Sequence, residues 1–226
     1  MAERVKTKRR YVSPRRREQA AATRREILEA AQRLFERQGY ATTTMAAIAA
    51  EAGVALKTVY VSFETKSGLL RSLWHLLLRG DEADVPVVDR SWYQEVVREP
   101  DPQRQLRLNA RNARVVKQRA AALMGVIRDA APADPDIETL WGRIQDDFYD
   151  NQRSIVKSLD SKRALGPGLD VTRAADILWT LNHPDLWQLL VRERGWTPEQ
   201  WELWFADTAC SQLLRPRTRR KPGKTH

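Results

Sequence analysis

Residues 42–70, TTTMAAIAAEAGVALKTVYVSFETKSGLL, decide the fold. Two helices that cross closely around a tight turn need a small residue where the first meets the second. They also need a turn residue tolerant of positive φ and an apolar residue on the second helix facing back. Counting from Met45, the fifth residue is Ala49, the ninth Gly53 and the fifteenth Val59, so all three needs are met in register. Ile48, Ala52 and Val54 supply the rest of a small core. Thr43 or Thr44 can cap the first helix, since a hydroxyl there accepts from a free backbone N–H. Gly53 closes it, and the second helix runs from near Ala55 to near Phe63. An Ala-x3-Gly pair alone is only a helix and its terminal glycine; the register, the cap and a basic flank together mark a helix-turn-helix.

Working outward, residues 24–38 place Ile27, Ala30, Ala31, Leu34 and Phe35 on one helical face, and Gly39 ends that helix. Thr23 and Glu26 have capping-box spacing, while Ala20–Ala22 can carry the helix further back. After Glu64 and Thr65, a helix bearing Leu69, Leu70, Leu73, Trp74, Leu76 and Leu77 stops at Gly80. Its apolar surface exceeds one stripe, which suits a link between two packing partners. Residues 81–102 read as a connection with a short helix over Trp92–Val97. Long helices are expected from Gln103 to Ala130 and from Ile137 to about Leu165. Two more span Thr172–Arg194, breakable at Pro184, and Pro198–Leu214. No strand is predicted, so the fold class is all-α. The expected organisation is a basic arm (1–22), a helix-turn-helix domain (23–66), a larger helical domain (67–214) and a basic tail (215–226).

The charge is uneven. The formal net charge is +10, yet residues 1–25 carry +8 and residues 215–226 carry +6, leaving residues 26–214 at −4. A near-neutral body with basic ends suits contact with a polyanion. Cys210 is the only cysteine, which excludes an internal disulfide and points to the cytoplasm. No stretch has the roughly 18–20 apolar residues that span a bilayer, and the basic start lacks the apolar run of a signal peptide, so no membrane contact is expected. His75, His183 and His226 with one Cys give no metal-ligand spacing. There is no nucleophile series, phosphate loop or paired carboxylate, which argues against an enzyme, and no cofactor is expected.

With these residues in view, the chain resembles the TetR family of bacterial regulators. A Thr-capped helix, an Ala/Gly turn, a Thr-hydrophobic-Tyr helix, a Phe and a Lys follow in the family's order. The resemblance implies a transcriptional regulator that binds a double-stranded DNA operator as a homodimer and answers to a small-molecule effector. It places Thr44, Lys57, Thr58, Tyr60 and Lys66 on DNA, mostly on phosphates. A helix N-terminus, a phenol and an ammonium are chemically suited to that role. Tyr60 as a core aromatic is the competing reading. The chain departs from the pattern at Ala55, where Ser or Thr is frequent, and at Ser62, where His is frequent. Leu56 and Lys57, with Ala55 beside them, are the candidate base readers, since Lys can address guanine and an apolar side chain a thymine methyl. Thr43 and Ser62 complete the predicted surface, and Arg15, Arg16, Arg17 and Arg24 form the predicted DNA arm.

The resemblance continues over 177–208, ILWTLNHPDLWQLLVRERGWTPEQWELWFADT. It implies that the last two long helices pair with their copies, with Ala174, Ala175, Leu178, Leu181, Trp201, Trp204, Phe205 and Thr208 at the dimer interface. The alternative is that these residues fill the monomer's core. The remaining helices would enclose a mostly apolar effector pocket touched by Trp74, Asn109, Asn112, Val116, Trp141, Phe148 and Asn151. Here too, aromatics at helical spacing can simply be core. Repression by a ligand-released dimer is the leading function; a nonspecific nucleic-acid binder that uses its basic ends is the alternative.

Overall fold

Residues 14–81, 83 and 85–216 are described by a computed structural model. The chain divides between Leu73 and Trp74 into two compact units. The division falls inside a helix rather than at its start, leaving the buried Leu69, Leu70 and Leu73 in the N-terminal unit. Arg4, Lys6, Lys8, Arg9 and Arg10 of the predicted arm and most of the basic tail lie outside the described residues.

In the N-terminal unit, α1 spans Pro14–Thr42, α2 Met45–Glu51, α3 Leu56–Phe63, and α4 begins at Lys66 and ends at Arg79. Helix α1 starts well before the capping box that the sequence offers at Thr23. Proline's fixed φ suits a first helical turn, and the Ala20–Ala22 run favours propagation. Arg15, Arg16 and Arg17 therefore stand exposed on helix rather than on an extended arm. Gly39 (φ 79, ψ 172) interrupts α1 one turn before its end. Ile27, Ala30, Ala31, Leu34 and Phe35 are buried as the periodicity predicts, with Ile48, Ala49, Val59 and Phe63.

The C-terminal unit contains α5 (Ser91–Arg98), α6 (Pro102–Ala130), α7 (Pro135–Ser161), α8 (Val171–Leu181), α9 (Pro184–Trp187, continuing as a π turn over Gln188–Glu193) and α10 (Pro198–Leu213). Four of these helices start with one device, a capping side chain followed by proline: Asp101-Pro102, Asp134-Pro135, His183-Pro184 and Thr197-Pro198. The cap satisfies a free N–H, and proline occupies the one position where its missing donor costs nothing. Helix α6 packs on α10 and α7 on α8. Between them Leu106, Ala110, Ile155, Leu159, Leu178, Trp187, Trp201 and Phe205 form one apolar core. Trp187 meets Trp201 edge-on at 5.1 Å, and Trp201 stacks on Phe205 at 5.1 Å. Arg215, assigned by the sequence to the tail, is tied back: its backbone N–H donates to Ala164 O (3.0 Å) and its Nε to Leu165 O (2.8 Å). Among the described residues no strand forms beyond an isolated Leu165–Leu214 bridge, and no single helix is long and apolar enough to cross a membrane.

Candidate nucleic-acid interface and effector cavity

Helices α2 and α3 are bent by 113° at their junction, within the range of a helix-turn-helix pair. The turn is held by the Gly53 N–H on Ala50 O (3.2 Å) and the Val54 N–H on Ala49 O (3.0 Å). Gly53 has φ 68 and open space where a Cβ would lie, so the backbone conformation, not crowding, calls for glycine. Gly68 is different: a Cβ there would stand 2.7 Å from Phe63 O, where α4 leaves α3.

Thr44, not Thr43, caps α2, its hydroxyl accepting from Ala47 N at 3.0 Å. Ala55 offers α3 no side-chain cap. Along α3, Val59 and Phe63 face inward while Leu56 is 42%, Tyr60 48% and Val61 76% exposed; Lys57 is exposed and Thr58 half-buried. Tyr60 is thus not a core aromatic.

Three of the expected DNA contacts have partners within the protein. Thr43 is fully buried, donates to Gly39 O (2.7 Å) and accepts from Gln38 Nε2 (3.3 Å). Lys66 donates to Tyr40 O (2.9 Å) and Thr43 O (3.0 Å), with its ammonium 4.0 Å from the Tyr40 ring centre. Arg24 donates to Ser62 O (2.7 Å) and Ser72 Oγ (3.2 Å) and lies 4.1 Å over Phe63. The last two cations hold carbonyls at the end of α1, beside α2, and at the end of α3, and so brace the helix-turn-helix from within the unit. Ser62 is half-buried, and its carbonyl is the one that Arg24 holds.

The C-terminal unit contains a cavity of about 90 Å³ lined by Trp74, Leu78, Val116, Lys117, Ala120, Ala121, Met124, Ile144, Asp147, Phe148, Asn151 and Pro184. Trp74, Val116, Phe148 and Asn151 belong to the predicted set. The other predicted residues do not reach this cavity. Asn112 donates to Trp92 O (2.9 Å), tying α6 to α5. Asn109 is buried elsewhere, and Trp141 lines a separate cavity of about 260 Å³ beside Arg128 and Asp129. The residue that sequence reasoning missed is Lys117. It is only 8% exposed, donates to Asn182 Oδ1 (2.5 Å), and lies 4.9 Å from the Trp201 ring centre and 5.8 Å from that of Phe148. Burial away from water brings its pKa down to about 7. Burial also lowers His183, the side chain that caps α9.

Five of the eight predicted dimer residues, Ala174, Ala175, Leu178, Trp201 and Phe205, are completely buried within the monomer. They form the seam between α8, α10 and their neighbours, so the core alternative holds for them. Leu181, Trp204 and Thr208 are partly exposed. Among the described residues no group of three or more His, Cys, Asp or Glu side chains could hold a metal ion.

A helix-turn-helix with an outward second helix, followed by a larger helical unit, defines a DNA-binding regulator of transcription. The family model for bacterial regulatory proteins of the tetR family matches residues 27–73. The transcriptional regulator TtgR of Pseudomonas putida is 30% identical over 161 residues, covering 70% of this chain and 75% of TtgR. AcrR of Shigella flexneri is 29% identical over 111 residues, about half of each chain (49% and 50%). The fold is shared with NalD of Pseudomonas aeruginosa, described as the secondary repressor of the MexAB-OprM multidrug efflux pump. That likeness has a TM-score of 0.66, 19% identity, and coverage of 86% of this chain and 98% of NalD. SmeT, solved in complex with triclosan, gives a TM-score of 0.66 at 21% identity, covering 90% of this chain and all of SmeT. The chain belongs to the TetR family of transcriptional regulators, whose members are not enzymes.

Proposed function

We propose that the chain is a cytoplasmic repressor that binds a partly palindromic operator as a homodimer and is released by a small, largely apolar ligand. The observation that carries this reading is the outward row of Leu56, Lys57 and Tyr60 on a helix whose first N–H groups have no side-chain cap. Free N–H groups at a helix start, a lysine and a phenol are suited to phosphates and base edges. Exposed Arg15, Arg16 and Arg17 add positive charge on the same unit. Half-sites one helical turn apart ask for a two-fold protein. For that contact the monomer offers Leu203, 58% exposed, with partly exposed Ile177, Leu181, Trp204 and Thr208 on α8 and α10.

Release requires the ligand to bind the DNA-incompetent state more tightly. The cavity of the C-terminal unit is the candidate site, supported by the triclosan complex of the structural relative SmeT. Helix α4 is the candidate coupling element, since it gives Leu73 to one unit and the cavity-lining Trp74 and Leu78 to the other. Operator affinity measured against salt tests the DNA half. The log-log slope should be clearly negative, by about 0.9 per phosphate contacted; a slope near zero would refute it. Tyr60→Ala should weaken operator binding while thermal unfolding stays unchanged.

A further inference from the structure

We propose that the cavity of the C-terminal unit takes a small aromatic or short-chain carboxylic acid, its carboxylate accepting from Lys117 Nζ and its apolar body lying against Trp74, Leu78, Met124 and Phe148. This rests on the effector reading above and adds the chemical class of the ligand.

An ammonium has three donors. Lys117 gives one to Asn182 Oδ1, and Asn182 in turn donates to Gln152 Oε1 (3.2 Å). Otherwise it faces two aromatic rings and the cavity. It has no carboxylate within ion-pair distance among the described residues, although buried cations are ordinarily paired. A ligand carboxylate would supply the missing counter-charge and acceptor in a setting where a charge-assisted bond is strong.

The charges around Lys117 are consistent with an anionic occupant. Asp147 of α7 also lines the cavity, but it is exposed at the mouth, where water screens it. Asp185 of α9 is held by Arg128 (2.5 Å), Glu202 of α10 by Arg114 (2.5 Å), and Asp176 of α8 accepts from the Tyr149 hydroxyl (3.0 Å). His183, with its pKa lowered by burial, is neutral above the ordinary histidine range. Helix α4 lines the cavity with Trp74 and Leu78, which carry no charge. The enclosed volume is about 90 Å³, below the roughly 150 Å³ of a dry cavity that takes benzene. A single ring or short chain would therefore be held only in part, with its far end reaching out of the cavity.

The test is a charge series of one shape: benzoate, benzamide and benzamidine, titrated into the intact protein without DNA. Tryptophan fluorescence serves as the readout, since all eight tryptophans lie in the C-terminal unit. At pH 6 benzoate should bind about tenfold or more tightly than benzamide, the difference between a charged and a neutral hydrogen-bond partner, and benzamidine should bind least. Raising the pH from 7 to 9 should weaken benzoate, approaching tenfold per unit, and leave benzamide flat, because the lysine must then be protonated for the pair to form. Lys117→Met should erase both the preference and the pH dependence, whereas Asp147→Asn should tighten benzoate and spare the fold. A merely structural lysine would leave the ligand order unchanged in Lys117→Met. That result, benzamidine binding as tightly as benzoate, or no binding of any of the three at about 10 mM overturns the proposal. Operator affinity measured separately keeps the two readings apart: failure of the series leaves DNA binding standing, and benzoate binding without DNA release leaves the site standing.

Discussion

The two units treat buried polar groups differently. In the N-terminal unit the half-buried cations Arg24 and Lys66 are spent on named carbonyls, and buried Thr43 both donates and accepts. The C-terminal unit contains every buried side-chain polar atom without a hydrogen-bond partner among the described residues: Asn109 Nδ2, Arg119 Nε, Gln145 Nε2, Trp179 Nε1 and Trp201 Nε1. It also buries Lys117 with a single acceptor. A unit that must hold one outward shape satisfies its own donors; in the unit with the cavity, only Lys117 among these groups borders it and can be held in reserve for a guest, and each donor costs stability while unpaired.

The largest expected effect lies in that reserve. Lys117 has a pKa near 7 in the folded chain against an ordinary 10.5. Between those values the unfolded chain binds more protons, so stability rises with pH across the window and is lowest below about 7. Unfolding followed by tryptophan fluorescence should show the wild type gaining roughly 3–4 kcal/mol relative to Lys117→Met from pH 7 to pH 10. Parallel profiles would show that the lysine is not desolvated.

The next effect belongs to the other unit. Arg24→Ala removes a charge-assisted pair of hydrogen bonds and a ring contact, and should cost about 1–3 kcal/mol. Exchange protection of the α1–α3 amides should fall while the tryptophan transition stays in place, and Arg24→Lys should recover only part. Smaller still are two changes of opposite sign at the helix caps. Thr44→Ala should cost about 1 kcal/mol by removing the α2 cap, and Ala55→Ser should add about 0.5–1 kcal/mol by supplying the one that α3 lacks. Equal behaviour at both positions would deny that α3 starts uncapped.

The N-terminal unit was legible because its constraints are local. Ala49, Gly53 and Val59 are set by backbone geometry within a short stretch, and the helix-turn-helix register alone put Val59 inward. What escaped was long-range. Nothing near Lys66 in sequence says that its ammonium meets the Tyr40 and Thr43 carbonyls. Trp201 and Phe205 suited a dimer seam equally well until the packing of α6 on α10 showed them enclosed. Lys117 did leave a signal. It stands in helical register with Ala110, Ala113, Ala120, Ala121 and Met124, a lone charge in an otherwise apolar row. The recurrent cap-proline starts were also present in the sequence: Pro198 is legible as a helix beginning, whereas Pro184, read only as a break, hid the start of α9.

The central claim is that the exposed face of α3 reads a particular DNA sequence. The most direct measurement compares affinity for a duplex from the promoter beside the protein's own gene with affinity for a scrambled duplex of equal length, at one physiological salt concentration. A specific regulator should prefer its promoter by about a thousandfold or more. Equal affinity for the two would make the chain a nonspecific nucleic-acid binder driven by its basic ends.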